Sequence, residues 1–313
     1  MPFWKSANPI SANFPASHRQ RMFERLHIWI LAARPKTLWA ALTPVALGTA
    51  IAAREGYVRP GVTLAIAVAA LLIQIGANLA NDVFDFLKGA DSSDRLGPPR
   101  VTERGLLTPQ QVQRGMIVVF SLAISVGFYL AWIGGWPIVA IGLLSITAAI
   151  AYTGGPWPFG YHGLGDLMVF LFFGPVAVGG TVYLHADAWL LSSLWGAIPM
   201  GALATTILVV NNVRDLATDQ QAGKQTLAVR LGRRGSEIEY ALLLLLAYGT
   251  VGLHWWRTGG APVVLLPLVS LPLAWRNFRA LTTGSGSELN QTLARTAGLQ
   301  ALFGGLFVAG LLF

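Results

Sequence analysis

Cysteine is missing altogether from the 313 residues, which removes disulfides, thiolate nucleophiles and zinc-thiolate centres and leaves the compartment open. Charge is scarce as well. Only 12% of residues are Asp, Glu, Lys or Arg, roughly half the content of a soluble domain, while 54% are hydrophobic and mean hydropathy is +0.57. That balance excludes an ordinary soluble chain and describes a polytopic membrane protein. Acid is the scarcer sign, with 14 Asp and Glu against 22 Lys and Arg. The five histidines (His18, His27, His162, His185, His254) are scattered, with no HExxH-like pairing; His162 alone falls near the predicted chemistry.

What is abundant is apolar sequence. Nine stretches long enough to cross or nearly cross a bilayer run from Leu38 to Ala53, Val62 to Leu79, Met116 to Ile133, Pro137 to Tyr152, Leu167 to Leu184, Trp189 to Val210, Tyr240 to Leu253, Ala261 to Trp275 and Thr296 to Phe313. They predict an all-α, polytopic bundle of about nine transmembrane helices, with Pro262, Pro267 and Pro272 interrupting the eighth. Alternating the sides puts 19 Lys and Arg on one face and 3 on the other. The bias places the amino terminus on the cytoplasmic side of a cell membrane. The net charge of +8 then reflects topology and anionic lipid, and requires no nucleic acid. Residues 1–33 read as a basic leader rather than a cleavable signal. Within it Phe23, Leu26 and Ile30 recur at helical spacing against Arg21, Glu24 and Arg25. This suits a helix lying in the interface before Pro35 opens the first crossing; a plain basic leader is the other reading. Residues 34–313 form one transmembrane domain on this reading.

Six of the acids, Asp82, Asp85, Asp91, Asp94, Asp215 and Asp219, gather at two places, the ends of the second and sixth apolar stretches. At about 100° per residue, Asn78, Asn81, Asp82 and Asp85 share one helix face, as do Asn211, Asn212, Asp215 and Asp219. Ionised groups at membrane depth cost about 2.5 to 3.5 kcal/mol each and usually line a watery cavity. Stacked carboxylates also repel unless a cation sits among them. Two such faces meeting across a cavity would hold Mg²⁺, which under few carboxylates keeps a phosphate ligand. Asp82, Asp85, Asp215 and Asp219 are therefore the candidate ligands. Arg34 and Lys36 before the first crossing, Arg100 and Arg104 in the first polar loop, and Arg214 and Lys224 beside the second cluster are candidate phosphate donors. Positive-inside bias accounts for such residues too. The loop from Phe86 to Gln113 has the Gly and Pro punctuation of a binding loop, with Thr108 and Pro109 starting the next helix. The two clusters lie four helices apart, a spacing that hints at two four-helix halves with facing sites. Diphosphate with an apolar tail is the ligand that makes sense of acids above an embedded cavity. Its departure, neutralised by Mg²⁺, leaves an allylic cation that an aromatic ring captures. Tyr152 and Tyr161, in one short loop, either position that acceptor or belong to an interfacial aromatic belt.

The runs NDVFDFLKGADSSDRLGPPRVTERGLLTPQQV, YTGGPWPFGYHGLGDLMVFLFFG and NNVRDLATDQQAGKQTLAVRLGRR, with RPKTL near the first helix, resemble the UbiA-type intramembrane prenyltransferases. More narrowly they resemble the 1,4-dihydroxy-2-naphthoate polyprenyltransferases of menaquinone biosynthesis. The resemblance covers most of the chain from Arg34. It implies a helical bundle with a central cavity open to lipid, and two Asp-rich motifs for Mg²⁺ and polyprenyl diphosphate, falling on Asn81, Asp82, Asp85 and Asp91 and on Asp215 and Asp219. Asp85, Asp215 and Asp219 would be catalytic. The last acid of the general NDxxDxxxD form falls at Gly89 here, and the nearest is Asp91; the naphthoate branch is similar in this longer spacing. The general family's basic residue after helix four is missing, since residues 151–167 hold no Lys or Arg, and Lys36 or Arg34 is the substitute. The implied reaction moves the prenyl group to 1,4-dihydroxy-2-naphthoate with loss of carbon dioxide, giving a demethylmenaquinol. A same-fold enzyme using 4-hydroxybenzoate, haem or a lipid acceptor is an alternative. A CDP-alcohol phosphatidyltransferase would need a DGxxAR-like run, which is absent, and a transporter would place its polar residues near mid-membrane.

Overall fold

A computed structural model describes residues 18–90 and 96–313, and the regular secondary structure among the described residues is all helical. Helix α1 (His18–Ala33) ends at Arg34, whose left-handed backbone (φ 51°) turns the chain into α2 (Pro35–Arg54), with Pro35 at its first turn. Then follow α3 (Pro60–Leu87), α4 (Pro109–Gly134) and α5 (Trp136–Ala151). Thr108 and Gln111 close a reciprocal capping box at the start of α4. The fifth apolar stretch is one rod: α6 (Gly165–Leu171), a π-helical segment (Phe172–Gly179) and α7 (Gly180–Ala186). Pro175 lacks the N–H that an α-turn needs, and the wider π-turn lies around it. Next come α8 (Leu194–Arg214), the short α9 (Leu216–Gln221) and α10 (Leu227–Thr258), which is bent at Gly232 (φ 67°). A 3₁₀ segment, Pro262–Ser270, leads into α11 (Leu271–Thr283), and α12 (Leu289–Leu312) closes the chain.

Among the described residues seven helical rods are long and apolar enough to cross a membrane, and α5 is a shorter apolar helix. The eighth predicted stretch is the 3₁₀ segment with α11, where three prolines break the α-helical pattern. All nine apolar stretches are thus helical, while length alone qualifies seven. The protein is a multi-pass membrane protein.

The main core joins α2, α8, α10 and α12 through Leu47, Ile51, Met200, Leu203, Tyr248, Val251, Phe303 and Phe307. A second core packs α1 against α3 and α4 through Ala32, Leu79, Val83, Val112 and Phe120. Water is absent around such helices, so close packing of small residues does the work of association. At Gly174 an added Cβ would stand 2.4 Å from the carbonyl oxygen of Ala197 and 3.0 Å from the Cα of Gly201, so α8 and the π-segment touch backbone to backbone. Between these two packed groups lies a cavity of about 1010 Å³.

Candidate active site

One end of the cavity is polar and the rest is apolar. Its polar end is built from α3, the loops after α3 and α5, and the α8–α9 turn, which supply Asn81, Asp85, Arg100, Tyr161, Asp215 and Asp219 among others. From there the lining descends α3 to Ile66, about 28 Å at about 1.5 Å per residue. Apolar faces of α4, α5 and the π-segment make the walls, including Phe128, Ile146, Phe172 and Phe173.

Asp85 is engaged by three side chains. Arg100 Nη1 lies 2.6 Å from its Oδ2, and Tyr161 donates its hydroxyl to Oδ1 at 2.5 Å. Lys224 Nζ lies 3.4 Å from the same Oδ1 and 3.7 Å from Oδ1 of Asp219, so one ammonium spans the two acidic segments. Arg100 is held in place by donating also to the carbonyl of Asn81 at 2.8 Å. Thr153 Oγ1 donates to Asn81 Oδ1 at 3.1 Å. Burial pushes the Asp219 carboxyl up to about 6; the negative Asp215 and Asp85 add to this, and Lys224 and Arg214 oppose it. Tyr152, at the end of α5, also lines the cavity.

The UbiA prenyltransferase family model matches residues 41–295. The chain belongs to that family. It is 40% identical over 285 residues to the 1,4-dihydroxy-2-naphthoate octaprenyltransferase of Mycobacterium tuberculosis, covering 91% of this chain and 96% of that one. Identity is 39% over 232 residues to the protein of the same name from Escherichia coli, covering 72% and 75%. Among solved structures, a UbiA homologue from Archaeoglobus fulgidus bound to GPP and Mg²⁺ has the same fold, with a TM-score of 0.61 at 15% identity over 91% of this chain and 99% of that one.

Not every sequence-predicted residue of this UbiA-family chain faces the cavity. Asn81, Asp85, Arg34, Lys36, Arg100, Asn211, Asn212, Asp215, Asp219, Lys224 and Tyr152 do. Asp82 does not: it is 1% exposed and accepts from the backbone N–H of Val101 (3.1 Å) and Thr102 (3.0 Å), with Arg34 Nη2 at 3.9 Å. The predicted α3 face therefore splits into two rows. Asn81 and Asp85 point into the cavity, whereas Asn78 and Asp82 hold neighbouring chain. Asn78 Nδ2 donates to the carbonyl of Ala33 and to Thr37 Oγ1, both at 2.9 Å, tying the α1–α2 turn to α3. Arg214, predicted as a phosphate donor, is 3% exposed and spent on protein partners. It grips both oxygens of Asp215 (2.7 and 2.5 Å), Asn211 Oδ1 (2.8 Å) and Asn290 Oδ1 (2.9 Å). The second cluster does not ride one helix face either. Helix α8 stops at Arg214, Asp215 is the turn residue, and Asp219 sits on α9. Asp91 lies outside the described residues.

Two contributors escape a reading based on motifs. Tyr161, grouped with Tyr152 as an acceptor contact, instead bonds Asp85. Asn290 of α12 lines the cavity, accepts from Arg214 and donates to the carbonyl of Leu96 at 2.8 Å, linking the second cluster to the first polar loop.

The groups at the polar end that could ligate a metal are the side-chain oxygens of Asn81, Asp85, Asp215 and Asp219, the donor type Mg²⁺ prefers. Among the described residues no three acids converge as a ready-made metal cage; Lys224 stands between Asp85 and Asp219 instead. Mg²⁺ typically takes one or two carboxylates and completes its shell with water and substrate phosphate. The residues fit a metal that enters together with a diphosphate.

Proposed function

We propose that the chain transfers a polyprenyl group from polyprenyl diphosphate to 1,4-dihydroxy-2-naphthoate with decarboxylation, giving a demethylmenaquinol. The observation that carries the reading is the meeting of Asp85 and Asp219 around Lys224 at the mouth of a deep apolar cavity. An anionic head and a long oily tail match those two ends. The identity to naphthoate octaprenyltransferases over nearly the whole chain supports this acceptor over 4-hydroxybenzoate, haem or a lipid.

Asp85, Asp215 and Asp219 would hold the metal, with Asp91 a further candidate, and Arg100, Lys224, Asn81, Asn211 and Asn212 would contact the diphosphate. When bound, Mg²⁺ neutralises charge that builds on the departing diphosphate. Arg100 and Lys224 add to that neutralisation as the carbon–oxygen bond of the donor breaks. The electron-rich naphthoate ring then supplies the electron pair for the new carbon–carbon bond, and carbon dioxide leaves the carbon that gains the chain. Arg34 and Lys36 receive the acceptor's carboxylate, and Tyr152 orients the ring. The apolar walls keep water from the allylic cation, which would otherwise be hydrolysed. Asp82, Asn78 and Arg214 organise these groups without touching substrate. The excess of Lys and Arg on this side supports a site at the cytoplasmic face of the cell membrane with α1 in the interface.

The test is purified protein in lipid nanodiscs with octaprenyl diphosphate, Mg²⁺ and each candidate acceptor. A mass equal to octaprenyl-demethylmenaquinol, dependent on Mg²⁺, is the expected product. Turnover of 4-hydroxybenzoate in preference to the naphthoate would overturn the acceptor assignment, and passage of solute without prenyl turnover would overturn the enzyme.

A further inference from the structure

Tyr161 touches both acidic segments at once. Its hydroxyl donates to Asp85 Oδ1 at 2.5 Å, the oxygen that Lys224 Nζ also approaches at 3.4 Å. Its carbonyl accepts from the N–H of Gln225, next to Lys224, at 2.8 Å. Its ring lies under two ammonium groups, with Lys224 Nζ 4.6 Å and Lys88 Nζ 5.3 Å from the centroid, within the range of a cation–π attraction. The loop around it is fastened on both sides. Lys88, just past the first segment, donates to the carbonyl of Gly155 at 3.0 Å, and Arg230, past the second, donates to the carbonyl of His162 at 2.9 Å. A tyrosine of an interfacial belt would turn its hydroxyl to water and headgroups. This one turns it to a buried carboxylate.

We propose that Tyr161 is a positioning residue that sets the spacing and orientation of the two acidic segments, fixing Asp85 through its hydroxyl and Lys224 through its ring and carbonyl. The inference rests on the diphosphate reading and adds to it a residue outside both Asp-rich motifs. A carboxylate free to rotate must be ordered when metal and diphosphate arrive, which weakens their binding. A phenol already holding it avoids that loss. Because Tyr161 faces the acids and not the apolar depth of the cavity, its removal should weaken the donor's head and leave the acceptor's affinity alone.

The experiment is Tyr161→Phe, which keeps the ring and deletes the hydroxyl. Calorimetry in nanodiscs would measure binding of Mg²⁺ with a non-reactive thiolodiphosphate analogue of the donor, beside the KM of the naphthoate. A hydrogen bond to a charged group corresponds to a loss of about tenfold or more, so the Mg²⁺–analogue affinity is expected to fall by that factor with acceptor KM unchanged. Wild-type affinity in the variant would overturn the proposal, and so would a loss confined to the acceptor. Should the variant fail to fold, 3-fluorotyrosine at position 161 keeps the hydroxyl. Its ¹⁹F resonance is expected to move when Mg²⁺ and analogue are added, and a resonance blind to both would overturn the proposal. If wild-type protein binds no Mg²⁺ with the analogue, it is the diphosphate reading that fails.

Discussion

Lys224 Nζ stands 3.4 Å from Asp85 Oδ1, two residues separated by 139 positions in the chain. This ammonium takes the position of a bridging cation, because Asp219 lies 3.7 Å on its other side. Replacing it has two effects of opposite sign. Lys224→Met is expected to tighten binding of metal alone, since a competing positive charge is gone. It is also expected to raise the KM for prenyl diphosphate by about tenfold, since a phosphate donor is gone. Paramagnetic titration with Mn²⁺ and steady-state kinetics read the two separately, and parallel changes would contradict the shared position.

Asp85→Asn and Asp219→Asn test the acids themselves. Both keep their size and most of their hydrogen bonding while removing the negative charge. Loss of turnover on the order of a hundredfold or more is expected for each, as when a single charge-stabilising group is deleted elsewhere. The protein should remain folded and inserted, by its thermal midpoint and its elution in detergent. Wild-type turnover in either variant would remove that residue from the metal site.

Asp219 also sets an expectation for pH. Its carboxyl is pushed up to about 6, chiefly by burial. A carboxyl raised in the folded state contributes stability that is present below its unfolded pKa, about 4, and is lost as pH rises through about 6. Metal must displace the same proton. The affinity of Mg²⁺ with the donor analogue is therefore expected to climb between pH 5 and about 6 and to level above it, with proton release on the climbing limb. Calorimetry in two buffers of different ionisation heat measures both quantities, and an affinity flat from pH 5 to 7 would refute the assignment.

Much of this site was legible because hydrophobicity and helical period are local properties. Apolar length located the seven rods long enough to cross a membrane and the shorter α5, and the spacing of Asn81 and Asp85 placed both on one row of α3. Other parts depend on packing that one sequence does not express. Period identifies a face about 100° wide, but which row of it meets the cavity depends on where the α1–α2 turn and the loop at Val101 settle against Asn78 and Asp82. Neither Gly nor Pro marks the break after Arg214; the Arg214–Asp215 pair and its bond to Asn290 on α12 accompany it. Tyr161 and Asn290 belong to no acidic run, and only the folded chain brings them to one.

Asp82 separates the sequence reading from the structural one. As a metal ligand it would lose function on substitution while the fold stayed intact. As the structure has it, both oxygens accept backbone N–H groups of the loop carrying Arg100, and a buried acceptor of this kind is costly to remove. Asp82→Asn turns one oxygen into a donor that faces another donor, leaving a buried N–H unpaired at about 1 to 3 kcal/mol. A lowered thermal midpoint is expected, with turnover reduced through misplacement of Arg100 and with Mg²⁺–analogue affinity less affected than in Asp85→Asn. Differential scanning calorimetry and analogue titration decide between the two. An unchanged midpoint with metal binding abolished would return Asp82 to the metal.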